Sequence, residues 1–413
     1  MKGIVCILLC LFMTLTLIAC DLVENGEISE SDTAQSDTAE NDAAEAKTDK
    51  STNKSTSSQS KPKQTNKNTS SSTTKNDNAA TPESLKDINN GILKQAYAET
   101  LDVPENMKYL GTANATEENN GKTIKATVAL YVLDGDVVNW TTENDLIYVI
   151  TKGNNRLVII DSTTMLPIYN TPLSGTPAEM NIIGDKIYIS LPDLCKIDIF
   201  SKADAKKETS ISFDHEVSSF CIEGDYIYYS EHDQHCSVFK KNLVTNETLE
   251  LKKENNGYIS FYFPKILLNT EDRILYIGET NSSGCKIYYY DADTLEMIGV
   301  FAKDNYGMQN HTREMFHIGD TIYWSSYALS DTTPKDLIGK YGISSTGSMV
   351  YASEELISTH EGLFLTETYE CIIDYQEAKF DFKSLIVTDS YNLFFRNTIL
   401  DQNMIIGINF DLQ

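Results

Sequence analysis

From residue 144 onward one short phrase recurs and constrains the fold. It is an acidic turn, then an apolar and aromatic run, usually closed by a small polar residue. It runs Asn144-Asp145-Leu146-Ile147-Tyr148, then Gly184-Asp185-Lys186-Ile187-Tyr188-Ile189-Ser190, then Gly224-Asp225-Tyr226-Ile227-Tyr228-Tyr229-Ser230. Glu271-Asp272-Arg273-Ile274-Leu275-Tyr276 is a looser copy and Gly319-Asp320-Thr321-Ile322-Tyr323-Trp324-Ser325 a close one. The tyrosines Tyr148, Tyr188, Tyr228, Tyr276 and Tyr323 follow one another at 40, 40, 48 and 47 residues. Degenerate copies end in Phe364 (Glu361-Gly362-Leu363-Phe364) and Phe394.

Each copy has the same surroundings. An apolar stretch precedes it, as at 179–183 and 218–222, and others follow it, as at 157–160, 197–200 and 287–290. Gly-Asp between β-branched or aromatic runs signals a hairpin. Polar turns at Asp161 and Asp291 lead to a further strand, and aspartate is favoured there for its local hydrogen bonds. Four short antiparallel strands in about 40–45 residues make one blade of a β-propeller. Such a sheet is apolar on both faces and is stable only when neighbours cover it. Tyrosine suits the space between blades, because its ring fills volume and its hydroxyl stays polar; the chain has 23.

The expected fold is therefore all-β: a propeller over 123–413 with seven four-stranded blades, six or eight being left open by the short step from Phe364 to Phe394. The stretch 403–410 reads as a third strand with no fourth after it, and the spare strand at 123–131 is expected to complete the last blade. The repeat is WD40-like in size. It resembles the YVTN-type bacterial surface propellers at 158–168 and 288–298. It also resembles the YWTD-type propellers of low-density-lipoprotein receptors at 224–230 and 319–325. Ser325-Ser326 stands where the second group has Thr-Asp. Both resemblances imply binding or adhesion and leave the ligand open.

The N-terminus carries a different signal. Met1 and Lys2 precede an apolar run over 4–17 that ends in Leu17-Ile18-Ala19-Cys20. A short apolar core before a small residue is a secretory pattern, and it is shorter than the ~20 residues that span a bilayer. Leu-Ile-Ala-Cys resembles the lipobox of bacterial lipoproteins. The resemblance implies a signal peptide at 1–19, cleavage between Ala19 and Cys20, and a diacylglycerol and palmitate-type acyl chains on Cys20. Each buried CH₂ contributes ~0.8 kcal/mol, so several chains anchor firmly. The expected location is the outer side of the cell membrane, at the bacterial cell surface.

Residues 20–81 form an expected linker rich in Ser, Thr, Asn, Asp and Lys. Too little apolar surface is available there to offset ordering entropy. A flexible coil of ~60 residues spans about 45 Å on average. Residues 82–122 read as a short helix, with Leu85, Ile88, Ile92 and Leu93 near helical spacing, and a lead-in.

Signals of chemistry are few. His232, Asp233, His235 and Cys236 are the one cluster of metal-ligating types, and their spacing matches no zinc motif. No cofactor is implied. Cys195, Cys236 and Cys285 occupy the same place in successive blades, too far apart for a disulfide, and with Cys221 and Cys371 they read as free thiols. The nucleophile elbow, the zinc-protease motif and the phosphate-binding glycine loop are missing. A formal net charge of −26 opposes binding of nucleic acid.

The first reading is a monomeric, lipid-anchored, non-catalytic module for an unknown protein or glycan partner. Its ligand face would include the long segments 303–314 and 326–337. A carbohydrate-active lyase or hydrolase with carboxylates near the propeller centre is the second reading. An envelope assembly scaffold is the third.

Overall fold

The computed structural model describes residues 109–119, 122–251, 260–281, 284–304, 314–324, 327–335, 337, 349–375, 384–388, 392–399 and 402–412. The signal segment, Cys20, the linker and the helix expected after residue 82 lie outside these residues. The described chain forms seven antiparallel blade sheets arranged as a ring, and a separate two-stranded ribbon. Blade 1 runs Asp136–Glu143, Leu146–Lys152, Arg156–Asp161 and Pro167–Pro172. Blade 2 runs from Glu179–Ile183 to Lys207–Ser212, blade 3 from Val217–Glu223 to Thr248–Glu250, and blade 4 from Lys265–Asn269 to Met297–Asp304. Blade 5 holds Met315–Ile318, Thr321–Trp324 and Tyr327–Ser330, and blade 6 runs from Met349–Ala352 to Cys371–Asp374. The first strand of each blade packs on the first strand of the next, and Ser384–Val387 of blade 7 meets Asp136–Glu143 of blade 1. The ring is closed.

Closure uses both ends of the folded region. The last sheet has the order Tyr109–Asn119, Lys122–Leu133, Gln402–Leu412, Leu393–Ile399 and Ser384–Val387. Lys122–Leu133 pairs with Gln402–Leu412 in unbroken register from Ile124↔Leu412 to Leu133↔Asn403. This is the spare strand expected at 123–131. The fifth strand, Tyr109–Asn119, falls in the stretch read as a lead-in.

The repeated phrase is a hairpin between first and second strands. Asn144 and Asp145 take φ of 51° and 58° in a two-residue loop, as a type I′ turn requires. Gly184, Gly224 and Gly319 hold the first loop position at φ of 62°, 55° and 57°, where a Cβ would be strained. The turn after the third strand is also built locally. Asp161 Oδ1 accepts the N–H groups of Thr163 at 3.0 Å and Thr164 at 2.8 Å. Asp291 Oδ1 accepts those of Asp293 at 3.0 Å and Thr294 at 2.7 Å. The two turns of a blade are then joined. Ser162 N–H donates to Asp145 O at 3.1 Å, Leu243 N–H to Asp225 O at 2.7 Å and Ala292 N–H to Arg273 O at 2.8 Å.

Blade 6 departs from the expected phase. Phe364 lies on the third strand, Gly362–Leu365, and the second strand is Leu356–Thr359. No Gly-Asp marks the preceding turn, so the Glu361-Gly362 pair in the next loop mimicked it. This shift explains the short step to Phe394, which does lie on a second strand. A second correction concerns 326–337, read as a loop: Tyr327–Ser330 is the third strand of blade 5.

Cohesion comes from apolar layers between blades. Tyr276, Tyr289, Met315 and Trp324 fill the layer between blades 4 and 5. Gly278 admits the indole, since a Cβ there would lie 2.7 Å from the Trp324 ring. Burying one such side chain stabilises by about 1.5–3 kcal/mol. The tyrosine hydroxyls then reach the next blade. Tyr228 donates to Ala292 O at 2.8 Å, Tyr276 to Asp331 O at 2.6 Å and Tyr289 to Ser330 O at 2.8 Å. Tyr323 shares a 2.7 Å hydrogen bond with the Tyr369 hydroxyl in the blade 6 turn.

Tyr148 lacks such a bond. Its hydroxyl is buried with no hydrogen-bond partner among the described residues, and burial pushes its pKa up to about 12. Tyr276→Phe is therefore expected to lose about 1–3 kcal/mol, because a buried carbonyl loses its donor. Tyr148→Phe should change stability by less than about 0.5 kcal/mol. Equilibrium unfolding in urea measures both, and equal losses would refute the distinction.

Candidate functional site

The first strands of the blades surround a central channel. Its cavity of about 690 Å³ is lined by strand residues of all seven blades, and a cavity of about 460 Å³ forms a mouth at one end. Glu179, Lys265 and Glu314 line both cavities and mark where the mouth meets the channel. Glu179 and Lys265 are the first residues of their strands, and Glu314 immediately precedes Met315–Ile318. The topology thus brings chain-distant charges into one layer.

The small polar residue closing the repeated phrase helps to set this layer. Ser190 Oγ accepts the Glu179 N–H at 3.0 Å and donates to Ser218 O at 3.0 Å. Ser230 Oγ accepts the Ser219 N–H at 3.2 Å. Both serines are fully buried. They fix where the first strands of blades 2 and 3 begin.

Glu179 and Lys265 form an ion pair across blade 3, from blade 2 to blade 4. Both are largely buried. Burial pushes the Glu179 carboxyl upward and Lys265 pulls it back. Against its own desolvation, Lys265 is held protonated by Glu179 and Glu314. Arg396 enters the channel from the second strand of blade 7, where it pairs with Ser384. Its Nη1 donates to Val137 O at 3.3 Å. Arg396 Nε and Ser384 Oγ are buried and without a hydrogen-bond partner among the described residues.

A two-stranded ribbon borders the mouth. His235–Cys236, from the loop between second and third strands of blade 3, pairs with Phe261–Tyr262 ahead of blade 4. Gln234 Nε2 donates to the Tyr262 hydroxyl at 3.0 Å, and Phe263 N–H to Gln234 O at 3.1 Å. The rings of His235 and Tyr262 lie 5.3 Å apart and those of Tyr262 and Phe263 5.1 Å apart. Phe263 lines the mouth at φ 41°. A bulky residue in that region is strained unless its surroundings hold it there.

The ribbon also disperses the metal-type cluster. Cys236 is buried, and its thiol donates to Phe261 O at 3.7 Å; burial pushes its pKa up to about 12. His232, Asp233 and His235 are exposed, and Asp233 Oδ1 accepts the neighbouring Gln234 N–H. Among the described residues no three metal-ligating side chains gather in one place. Cys195, Cys221, Cys236 and Cys371 are free thiols, and the Cys285 side chain lies outside the description. Of the segments expected at the ligand face, 303–314 contributes Glu314. His317 Nε2 and Asp331 Oδ2 are 3.4 Å apart. His317 packs against the Tyr276 ring, between blades 4 and 5 and away from the channel lining.

Lys265→Met is expected to destabilise the protein by about 3–5 kcal/mol at neutral pH, because Glu179 is left buried and unpaired. Adding Glu179→Gln should recover much of the loss. Alone, Lys265→Met should lose less as pH falls. The buried Glu179 carboxyl, with its folded pKa raised above the unfolded value, then takes a proton that the unfolded chain does not yet bind. Denaturant unfolding across pH measures this, and a loss that is flat with pH would contradict it.

No family model and no curated protein sequence matches this chain. Solved structures resemble it at low identity. BamB from Moraxella catarrhalis is 11% identical with a TM-score of 0.42, over 73% of this chain and 97% of that one. The WD40 repeats of RRP9 are 13% identical with a TM-score of 0.48, over 69% of this chain and 97% of that one. A computationally designed protein, Ika8, is 8% identical with a TM-score of 0.43, over 67% and 98%. At these levels the likeness is one of chain path and says nothing of ligand or partner.

Proposed function

We propose that this protein is an exported lipoprotein, anchored by Cys20, whose propeller binds a partner at the channel mouth without transforming it. Support for the binding reading comes chiefly from the Tyr262-Phe263 ribbon. It holds two aromatic rings beside a concavity of mixed polar and apolar lining, and it holds Phe263 in a costly backbone conformation. Strain of this kind tends to gather at functional sites. Aromatic side chains at the rim of a concave surface are the usual anchors of an interface. The hydrolase reading needs a pair of free carboxylates at the centre, and of those lining the channel Glu143 is engaged by Lys202 and Glu179 by Lys265. Support for the anchor comes from Leu17-Ile18-Ala19-Cys20, which resembles a lipobox; a chain lipidated there would work outside the cytoplasm.

Two experiments test the two halves. Cys20→Ala should abolish labelling by a fatty-acid analogue and release the protein or leave its precursor uncleaved; undiminished labelling would sink the anchor. Crosslinking on intact cells should recover a partner with the native chain. Tyr262→Ala with Phe263→Ala should weaken recovery, since truncated anchors cost about 2 kcal/mol each, or about 30-fold in affinity. A partner captured equally well by the double variant would place the interface elsewhere. Membership of a stable envelope complex would favour the scaffold reading, and turnover of a glycan lost in Glu179→Gln would replace binding with catalysis.

A further inference from the structure

The channel below the mouth holds charges that the protein leaves incompletely paired. Around the ring stand Glu143 in blade 1, Glu179 in blade 2, Lys265 in blade 4, Glu314 in blade 5 and Arg396 in blade 7. Glu143 is engaged by Lys202 at 2.6 Å. Glu179 and Lys265 satisfy each other. Glu314 and Arg396 do not: neither has an ion-pair partner within 4.0 Å among the described residues, although Glu314 lies close enough for its field to reach Arg396.

The Arg396 end is set up as a donor site. Burial disfavours its charged form, so the guanidinium has lost much of its water. Nη1 is fixed on Val137 O, which orients the plane. Nε–H has no acceptor, and neither has the Ser384 hydroxyl on the paired strand. Buried donors without acceptors are uncommon and costly. Both side chains belong to the channel lining, and a guanidinium matches the two oxygens of a carboxylate. A simple anion would leave Glu314 unpaired, and a simple cation would leave Arg396 unpaired. A cavity of about 690 Å³ is of small-molecule size.

From this geometry we infer that the channel binds a small zwitterion of the amino-acid type, its carboxylate on Arg396 and Ser384 and its ammonium on Glu314. The inference deepens the binding-module reading and rests on it. The site lies between blades 5 and 7, whereas the aromatic ribbon lies between blades 3 and 4. One face can therefore hold a macromolecular partner while the channel holds the small molecule.

Titration calorimetry of the full chain with individual L-α-amino acids tests it. Acetate and methylammonium serve as half-ligands. At least one amino acid should bind saturably, and each half-ligand should bind about tenfold or more weakly. Arg396→Gln and Glu314→Gln should each weaken the amino acid about tenfold. Arg396→Gln also removes the contact to Val137, so Ser384→Ala is the second variant: it removes one hydroxyl and should weaken binding while leaving the unfolding midpoint in place. Absence of saturable binding by any amino acid overturns the inference. So does acetate binding as tightly as the amino acids, which would mark a plain anion site, and so does binding indifferent to all three substitutions. Cell crosslinking through Tyr262 and Phe263 is read separately. Crosslinks kept without amino-acid binding sink the small ligand alone, and crosslinks lost in the aromatic variants with amino-acid binding intact separate the two sites.

Discussion

Everything in this molecule depends on the pairing of Lys122–Leu133 with Gln402–Leu412. A blade is apolar on both faces, so an open arc of blades leaves two apolar faces in water. Closing the ring covers both at once. Val128 and Leu130 on the incoming strand and Ile405, Ile406 and Ile408 on its partner are fully buried. The cost is loop closure over nearly the whole folded chain. That cost grows only logarithmically with length, while the burial gained scales with area. Area wins. The fifth strand, Tyr109–Asn119, lengthens the same sheet and pairs the outer edge that Lys122–Leu133 would otherwise expose.

Within the ring, the division of labour between tyrosines and charges follows from geometry. Adjacent sheets meet face to face, so the layer between them is dry and suits Tyr228, Tyr276, Tyr289 and Tyr323, whose hydroxyls reach polar groups of the following blade. Each such bond ties two blades together at their turns. The first strands are different, since they have no neighbour on the channel side. Polar and charged residues can be kept there, at the strand starts, because the cavity admits water and small ligands. Glu179 and Lys265 occupy such positions and can pair only because blade 3 puts its serines, rather than bulk, between them.

The sequence was legible where a feature is local. The hairpins at Gly184-Asp185, Gly224-Asp225 and Gly319-Asp320 and the aspartate turns at 161 and 291 need only near neighbours, and they stand where the repeat places them. The closing strand was legible because a third strand at 403–410 lacked a fourth. Blade 6 was misphased because its true turn lacks Gly-Asp and the next turn carries a glycine. The channel charges could not be read this way. Glu179, Lys265, Glu314 and Arg396 are separated by tens of residues and are brought together only by the ring. No spacing in the chain announces them. The signal that was available, a charged residue opening an inner strand, is too common to select these four. The cluster at 232–236 shows the converse: adjacency in sequence, dispersed by a ribbon that buries Cys236 and leaves its neighbours exposed.

Site and closure are coupled. Ser384 and Arg396 belong to the blade completed by the incoming strand, and Glu314 belongs to a blade already held by its neighbours. The channel layer is therefore incomplete until the ring closes. A ligand spanning Arg396 and Glu314 would bind the closed ring and not the open arc, and would stabilise closure by mass action, by about 2.7 kcal/mol at a hundredfold excess over its dissociation constant. The unpartnered donors on Arg396 and Ser384 act in the opposite sense, since they penalise closure around an empty channel. The balance between these terms makes the last blade the part of the propeller whose stability responds most to what the channel holds.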